Sequence, residues 1–396
     1  MTIRLGILTS HPIQYQAPLF RELAKQVDLK VYFAHRQTAQ GQGSAGFDVA
    51  FEWDVDLLGG YDHAFLSNRA KRPAVNTFFG CDTPEISAEI RNGGFDALFV
   101  TGWYLKSFWQ AIRACRRAGV PVMVRGDSQL GTPRLWLKQI VKELVYPRLL
   151  RQFDACLYVG QKNREYLEHY GVPDSRLFFS PHCVDNEAFA SLASTVNREA
   201  VRTKLGIGKG TKAVLFVGKL LERKRPHDLL RAVAALRAQG ADACAVFAGD
   251  GPLRRSLEVA ACELAVPTFF LGFRNQTELP EAYVLADMLA LPSEGSETWG
   301  LVVNEALACG TPVVVSDAVG CAPDLVTEGQ TGALYPVGDV GALVKALTRA
   351  LEIPRNSQAI ADRANAYSVP AAARGIVLAA IALRRATGVH TFESQI

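Results

Sequence analysis

Two glutamates, Glu297 and Glu305, are the residues of this sequence whose position most clearly suggests chemistry. They lie in the segment 292–312, PSEGSETWGLVVNEALACGTP, on either side of a predicted helix start at Gly300. Glu297 is placed in the loop before that helix, and Glu305 lies about one and a half turns inside it. In parallel α/β sheets this junction binds phosphorylated ligands, although acids near a helix start also suit a simple capping role. The segment therefore predicts either a phosphate-bearing ligand or a capped amphipathic helix.

A second group of charged residues follows the first predicted strand of the C-terminal half. The turn FVGKLLERKRP places Lys219 directly after Gly218 and Lys224 five residues later. Cations at the carboxyl end of a parallel strand are well placed to hold an anionic ligand. Arg223 and Arg225 are competing candidates for the same role, and a solvated basic turn is the alternative interpretation.

Both segments resemble the family-4 retaining glycosyltransferases. The family signature reads roughly P-S-x-x-E-x-F/W-G-L-x-x-x-E-A-x-A-x-G-x-P, and this chain matches it with one extra residue before Glu297. The basic turn resembles the family's V-G-R/K-L-x-x-x-K-G, except that Arg225 replaces the last glycine. The resemblance covers residues 211–345 closely and the first half in outline. It implies a GT-B fold, in which two Rossmann-like, doubly wound α/β domains face each other across a cleft.

The resemblance also implies roles for individual residues. It assigns the donor sugar's hydroxyls to Glu297, the nucleotide ribose to Glu305, and the donor diphosphate to Lys219 and Lys224. Of these, Glu297, Lys224 and Lys219 are the predicted catalytic residues. The predicted donor-binding residues, some acting through backbone amides at the helix start, are Gly218, Gly251, Phe273, Arg274, Trp299, Gly300, Leu301 and Glu305.

The family mechanism implies net retention of the sugar's anomeric configuration without a metal ion or another cofactor. Lys219, Lys224 and the helix N-terminus at Gly300 would stabilise negative charge on the leaving diphosphate. A phosphate oxygen would take the acceptor's proton, so that no protein base is required. The triplet D-V-D at 54–56 has the form of a metal-binding motif, but it is predicted to lie far from every donor motif.

Acceptor-side candidates come from loops that follow strands of the N-terminal half. His11 follows the first strand, where many family members have two glycines. Arg125 and Asp127 follow another strand, where the family often has a histidine. These departures leave a purely structural role open for all three residues. Residues 180–189, SPHCVDNEAF, resemble the family's crossover between the domains and are not assigned to substrate.

Short apolar runs alternate with amphipathic segments of helical length, which predicts a parallel sheet in each half. The predicted division is an acceptor-side domain at 1–190, a linker at 191–210, a nucleotide-sugar-binding domain at 211–369, and a final helix at 370–396 that can return to the first domain. Residues 34–50, rich in Gly, Gln and Ala, are predicted to form a loop. The strands are predicted at 4–9, 29–33, 97–101, 121–125, 155–159, 176–180, 213–217, 243–248, 268–271, 288–291 and 312–316.

The composition is that of an ordinary globular protein with 43 basic and 39 acidic residues, so no nucleic-acid partner is expected. Eight scattered cysteines without a C-x-x-C pair predict free thiols in a reducing compartment. Neither a secretory signal nor a long uninterrupted apolar run is recognised, and a cytoplasmic location is expected. The segment 134–153 mixes apolar and basic residues. It is predicted as a core helix with solvated cations, or alternatively as a peripheral contact with the inner membrane surface.

These features predict a hexosyltransferase that moves a sugar from a UDP- or GDP-linked donor to a hydroxyl of a glycan or lipid-linked acceptor, in surface polysaccharide or glycoconjugate synthesis. A sugar-nucleotide epimerase of the same fold is one alternative, for which Asp127 is the one plausible catalytic acid. A non-catalytic, nucleotide-sugar-binding subunit is another. The intact Glu297, Glu305, Lys219 and Lys224 favour an enzyme over that subunit.

Overall fold

A computed structural model describes residues 2–38 and 52–393 of the protein, with side chains described up to residue 386. Most of the loop predicted at 34–50 lies outside the described residues. The described strands form two wholly parallel sheets, one in each half of the chain. Two doubly wound α/β units result, as the alternation of apolar runs and amphipathic segments predicts.

The N-terminal sheet has seven strands in the order β3-β2-β1-β4-β5-β6-β7. Along β4, Ala97 and Phe99 enter one apolar cluster while Leu98 and Val100 enter another, so both faces of the sheet are covered. The strands are β1 Arg4–Thr9, β2 Asp28–Phe33, β3 His63–Phe65, β4 Ala97–Val100, β5 Val122–Arg125, β6 Ala155–Tyr158 and β7 Leu177–Phe179. The helices of this half are α1 Ala17–Ala24, α2 Ile86–Gly93, α3 Lys106–Ala118, α4 Trp136–Leu150 and α5 Gln161–His169.

The C-terminal sheet has six strands in the order β10-β9-β8-β11-β12-β13. Its strands are β8 Lys212–Val217, β9 Ala243–Ala248, β10 Thr268–Gly272, β11 Met288–Leu291, β12 Val313–Ser316 and β13 Gly332–Tyr335. The helices that accompany it are α6 Asn186–Thr195, α7 Arg198–Leu205, α8 Pro226–Ala238, α9 Arg254–Glu263, α10 Leu279–Leu285, α11 Leu301–Ala308, α12 Ala322–Leu325, α13 Val340–Ala350 and α14 Gln358–Ala366. The chain reverses its strand order between β8 and β11, and ligands of doubly wound folds bind at such a point.

All eleven strands predicted from the sequence are present within a residue or two of their predicted ends. Two strands, β3 and β13, were not predicted. Both lie at an edge of their sheet. The strand β3 begins with His63 and β13 begins with Gly332, so neither forms the continuous hydrophobic run that is expected of a strand buried on both faces.

The segment predicted as a linker at 191–210 is mostly helical. It contains the end of α6 and the whole of α7, and both helices pack against α10 of the C-terminal unit. Asp185 and Asn197 cap the two helices by accepting hydrogen bonds from backbone amides three residues on. The polar composition that suggested a linker belongs to the exposed sides of these two helices.

The last helix, α15 Val369–Glu393, returns to the N-terminal unit and packs against α1 and β7. Ala372, Ile376 and Ala380 of this helix are buried in the same apolar cluster as β1. The helical stretch Gln358–Ala386 has the length and hydropathy of a membrane span, and 39% of its most apolar window is buried. Because these apolar residues pack on the sheet, the stretch has the features of a core helix.

The preference for 134–153 as a core helix with solvated cations is wrong. Helix α4 exposes most of its apolar side chains, among them Trp136 and Leu144, which are 69% and 64% exposed. Lys142 is instead buried, with its ammonium group 4.7, 4.3 and 5.3 Å from the ring centroids of three tyrosines. The Lys142 side of the helix therefore faces the core, where cation–π attraction to these rings stabilises the ammonium group.

Candidate active site

The predicted donor residues lie where strands of the C-terminal sheet end. The turn after β8 carries Lys219 and Lys224, and the loop after β11 carries Glu297. These two strands are hydrogen-bonded neighbours, so their carboxyl ends bring the turn and the loop together. A backbone hydrogen bond of 3.0 Å from Glu294 N–H to the Arg223 carbonyl joins them directly.

Lys224 and Glu297 form an ion pair at the centre of this edge. The Lys224 ammonium lies 2.7 Å from Glu297 Oε2, and the Arg223 guanidinium lies 3.7 Å from the same oxygen. Lys224 is 8% exposed, whereas the Arg223 side chain is 43% exposed. The competing cations of this turn are therefore not equivalent, because Lys224 points into the protein. Arg225, the third candidate, instead donates to Asp228 at 2.6 Å.

Glu305 is buried in α11 and accepts a hydrogen bond of 2.5 Å from the Tyr283 hydroxyl. Burial raises the pKa of Glu305 to about 7, while the Tyr283 hydrogen bond and the Lys224 charge lower it. The carboxyl group thus changes its charge near neutral pH. The Lys224 charge couples Glu305 electrostatically to the Lys224–Glu297 pair.

Glycines allow two turns at this edge to touch. A Cβ on Gly249 would lie 2.1 Å from the Gly218 carbonyl oxygen, and one on Gly251 would lie 2.8 Å from the backbone of Leu220. The φ angles of Gly218, Gly249 and Gly251 are 134°, 136° and 154°. The contact between the turns after β8 and β9 accounts for these glycines, and it brings Gly251 beside the Lys219 turn.

The start of α11 presents its first backbone amides at the same place. Gly300 precedes Leu301 with a φ of 97°, and a Cβ there would lie 2.8 Å from a methyl group of Leu291. The first amides of any helix lack intrahelical partners, so the N–H groups near Leu301 are suited to an anionic ligand. The Trp299 ring is buried, and its N–H donates to Asn304 Oδ1 at 2.8 Å. A contact from Trp299 to a donor would therefore use its backbone.

Phe273 and Arg274 follow β10, and the Arg274 guanidinium lies 3.6 Å from Glu278. The same loop contacts the N-terminal unit, because Asp54 accepts hydrogen bonds from the amide and hydroxyl of Thr277. The expectation that the D-x-D triplet lies far from every donor motif is therefore wrong.

The two acids of that triplet point to different partners. Asp56 accepts hydrogen bonds from the amides of Leu58 and Gly59, at 3.0 Å each, whereas Asp54 contacts Thr277. The structure describes the side chains of residues 2–38 and 52–386. Among these, no three His, Cys, Asp or Glu residues form a cluster that could hold a metal ion. The sequence could not show the contact with Thr277, because it joins residues more than two hundred positions apart.

On the N-terminal side, a cavity of about 190 Å³ opens where β1, β4 and β5 end. Arg125 and Asp127 line it together with Tyr15, Tyr104 and His182, which the sequence analysis did not assign. His11 is not among the lining residues. It lies beside the lining residue Ser10, whose hydroxyl is 2.9 Å from His11 Nδ1.

Burial keeps most groups of this cavity neutral. It lowers the pKa of His182 to about 4 and raises the pKa of Tyr15 to about 12. Burial also lowers the pKa of His11, outside the cavity, to about 4. Arg125 is also buried, and its guanidinium donates to the Ser180 hydroxyl at 3.3 Å. The cavity therefore offers a neutral imidazole and neutral phenol groups beside the Arg125 guanidinium and the Asp127 side chain.

His182 lies in the crossover segment that the sequence analysis left unassigned. Its ring packs edge-on against Tyr15, at a centroid distance of 5.9 Å, and lies 5.7 Å from the Trp299 ring. Its buried Nδ1 has no hydrogen-bond partner among the described residues. The available signal was the position of His182 two residues after the predicted strand 176–180, since side chains at such strand ends converge on the cleft.

The two sides of the cleft are joined by hydrogen bonds to the loop that carries Glu297. The Thr298 hydroxyl donates to Asp127 at 2.6 Å. The Gln129 amide group donates to the backbone carbonyls of Gly295, Glu297 and Ala318, at 2.9, 3.2 and 3.2 Å. The acceptor-side loop therefore positions the backbone of the donor-side loop directly.

The fold is that of the GT-B glycosyltransferases. HepE from Anabaena, solved in complex with UDP and glucose, superposes with a TM-score of 0.66 at 18% identity, covering 95% of this chain and 98% of HepE. Sucrose-phosphate synthase from Thermosynechococcus elongatus gives a TM-score of 0.63 at 20% identity, covering 99% of this chain and 100% of the synthase. At these identities the likeness establishes the two-unit architecture.

Residues 197–367 match the family model "Glycosyl transferases group 1", which includes the turn after β8 and the loop with Glu297. The D-inositol 3-phosphate glycosyltransferase of Corynebacterium aurimucosum is 32% identical over 288 residues, or 69% of this chain and 66% of the relative. A GDP-mannose-dependent phosphatidylinositol monomannoside mannosyltransferase of Mycolicibacterium smegmatis is 30% identical, over 62% of this chain and 65% of that enzyme. The chain thus spans just under two thirds of the length of these relatives, and its residues 197–367 form the region that matches the group 1 glycosyl transferases.

We expect the affinity for a nucleotide-sugar to rise with pH up to about 7 and then to level off. The pKa of Glu305 is raised to about 7. Only the ionised carboxylate has both oxygens available to accept hydrogen bonds from the two hydroxyls of a ribose. One coupled proton changes affinity by at most about tenfold per pH unit. Glu305→Gln should lose this dependence and bind more weakly at pH 8, by about 1.5–3 kcal/mol. Calorimetric titration across this pH range measures both effects.

The matched control is Glu281→Gln, an exposed acid on the helix that carries Tyr283. It should keep the wild-type pH profile. A Glu305→Gln protein that retained the same pH profile, in a folded state by circular dichroism, would show that the ribose is bound elsewhere.

Proposed function

We propose that this protein transfers a hexosyl group from a nucleotide-sugar, UDP- or GDP-linked, to a hydroxyl of a glycan or lipid-linked acceptor, with retention of configuration and without a metal ion. The observation that carries the proposal is the convergence of Lys224, Glu297, Glu305 and the α11 N-terminus at one edge of the C-terminal sheet. This edge combines a cation and free amides for a diphosphate with carboxylates for sugar hydroxyls.

The proposed donor lies along this edge, with its nucleotide toward β10. Phe273 and Arg274 would contact the base, and Glu305 would accept hydrogen bonds from the ribose. Lys219, Lys224 and the amides at Gly300–Leu301 would hold the diphosphate, and Glu297 would orient the transferred sugar. Lys224 already contacts Glu297, so the diphosphate and the sugar would meet at the existing ion pair.

In the proposed reaction, the bond between the anomeric carbon and the diphosphate oxygen breaks while the acceptor oxygen bonds to the same face of that carbon. Lys224 and the helix N-terminus would stabilise the negative charge that builds up on the leaving diphosphate. The acceptor's proton would pass to a phosphate oxygen. A side-chain base is not needed, and Asp127, the one carboxylate lining the acceptor cavity, is already engaged by Thr298.

The cavity with Arg125, Asp127, Tyr15, Tyr104 and His182 is our proposed acceptor site. Its neutral hydroxyl and imidazole groups suit a polyhydroxylated acceptor, and the buried Arg125 suits one with an anionic group. The names of two relatives mention inositol 3-phosphate and phosphatidylinositol monomannoside, and both of these acceptors combine hydroxyls with phosphate.

We also propose that the reaction occurs on the cytoplasmic side of the inner membrane, in the synthesis of a surface polysaccharide or glycoconjugate. All eight cysteines are free thiols, and seven of them are buried. Unpaired cysteines in this number suit a reducing compartment, where nucleotide-sugars would be available to the enzyme.

Lys224→Ala should lower kcat by about 100- to 1000-fold, the usual effect of removing one group that stabilises developing charge. Because the charge on the leaving diphosphate grows along the reaction, this loss should exceed the loss in donor affinity. Steady-state transfer assays and calorimetry measure the two quantities separately.

The control is Arg223→Ala in the same turn. Arg223 is more exposed and 1.0 Å farther from Glu297 Oε2 than Lys224 is, 3.7 against 2.7 Å, so its loss should be far milder. Equal decreases in kcat at positions 223 and 224 would mean a diffuse basic patch rather than a specific diphosphate contact.

Transfer activity should survive treatment with EDTA. Lys219 and Lys224 supply positive charge at the proposed diphosphate site, and Asp54 and Asp56 point to different partners. The assay compares rates after chelation and after addition of manganese. Activity that disappears with EDTA and returns with manganese would contradict the metal-independent mechanism.

A further inference from the structure

Helix α4 presents an apolar face to its surroundings. Two adjacent rows at a spacing of four residues form it, namely Trp136, Ile140 and Leu144, and Leu137, Val141 and Val145. All six side chains are between 48% and 69% exposed. Trp136 is also the one tryptophan of this chain among the exposed large hydrophobic residues. A contiguous exposed apolar surface of this kind usually marks an interaction site.

The opposite side of α4 fixes the orientation of this apolar face. Lys142 is inserted among Tyr146, Tyr166 and Tyr170, and Glu143 accepts hydrogen bonds from Tyr170 and from His169 if the imidazole Nε2 carries the proton. Rotating the helix to bury its apolar face would remove the Lys142 ammonium from these rings. In this structure the apolar face of α4 therefore lies on the side away from these contacts.

The charges around the apolar face favour an anionic partner. Arg134, Lys138, Arg148 and Arg151 are all exposed on this segment, and Glu143 is its one acid. Two copies of the chain packed face to face on α4 would bring these cations together, which opposes association. A helix with a broad apolar face and flanking cations is suited to the interface of an anionic bilayer.

The apolar face begins close to the cleft. Gln129, which donates to the backbone of the Glu297 loop, is seven residues before Trp136, so the two lie at most about 25 Å apart along the chain. Pro133 lies next to Gly295 of the donor-side loop. Leu130, which lies between Gln129 and Pro133 in the sequence, is exposed. A surface bound to α4 would therefore be near the entrance to the acceptor cavity.

We propose that the apolar face of α4 docks on an anionic lipid surface and holds the cleft beside it. The site takes acidic phospholipid headgroups on its cations and acyl chains on its six apolar side chains. The presentation of a lipid-linked acceptor to the cavity rests on the proposed function, whereas lipid binding by α4 does not.

The test is flotation of the full-length protein with vesicles of phosphatidylcholine, with and without phosphatidylglycerol. The wild type should float with the anionic vesicles, less so in high salt. The double variant Trp136→Ser, Leu144→Ser should bind them at least about tenfold more weakly, since each side chain contributes apolar burial. Lys138→Glu with Arg148→Glu should have a similar effect.

Matched controls change exposed residues elsewhere on the protein. Phe79→Ser with Leu378→Ser removes two exposed apolar side chains, and Arg231→Glu with Arg255→Glu reverses two exposed charges. Both controls should float like the wild type. If the control variants bound the anionic vesicles as weakly as the α4 variants, the assignment of the site to α4 would be wrong.

Two further outcomes would also overturn the proposal. One is a wild-type protein that does not float with anionic vesicles. The other is a wild-type protein that does not bind lipid and forms a dimer in sedimentation experiments, when Trp136→Ser with Leu144→Ser abolishes that dimer. The apolar face would then join two copies of the chain. Nucleotide-sugar binding measured in solution on the same variants should be unchanged. If the wild-type protein floated with anionic vesicles but did not bind a nucleotide-sugar, the result would contradict the proposed function. It would not contradict lipid binding by α4.

Discussion

The ion pair between Lys224 and Glu297 is the interaction on which the arrangement of the proposed donor site depends. Both side chains are largely buried, so each charge has lost most of its hydration, and removing one partner of such a pair destabilises a protein by about 3–5 kcal/mol. The pair joins the turn after β8 to the loop after β11, which are also connected through the backbone bond between Glu294 and Arg223 and by the Arg223–Glu297 contact. A diphosphate and a sugar bound at the proposed site would replace the lost hydration of both charges, so a costly buried pair would suit this position.

The loop that carries Glu297 also forms hydrogen bonds across the cleft. Asp127 holds the Thr298 hydroxyl, and Gln129 holds the backbone carbonyl of Glu297, so the acceptor-side unit positions the loop that would orient the donor sugar. A second contact, from Asp54 to Thr277, reaches the loop proposed to contact the base. Hydrogen bonds therefore link the proposed acceptor side to the proposed donor edge, and a shift of either unit would change the distance between them.

Much of the fold, and the residues that meet at the proposed donor site, could be predicted from sequence because the relevant signals are local. Buried parallel strands are continuous apolar runs, and Lys224, Glu297 and Glu305 each belong to a short motif with fixed spacing. Residues such as His182 and Tyr15 meet only through the order of the strands, which no local pattern specifies. Helix α4 shows another limit. Its sequence separates apolar from basic sides, but the tyrosines that draw Lys142 inward lie up to twenty-eight residues later. Periodicity shows that a helix has two faces and does not show which of them is buried.

The central claim is that the edge formed by Lys224, Glu297, Glu305 and the α11 N-terminus binds a nucleotide-sugar. Thermal denaturation of the wild-type protein with UDP-, GDP-, ADP- and dTDP-sugars tests it most directly. A ligand at a hundred times its Kd adds about 2.7 kcal/mol to the free energy of unfolding, so the account predicts a clear rise in Tm with sugars of at least one base. The absence of a shift with all four donors, at concentrations that saturate known sugar-nucleotide sites, would contradict it.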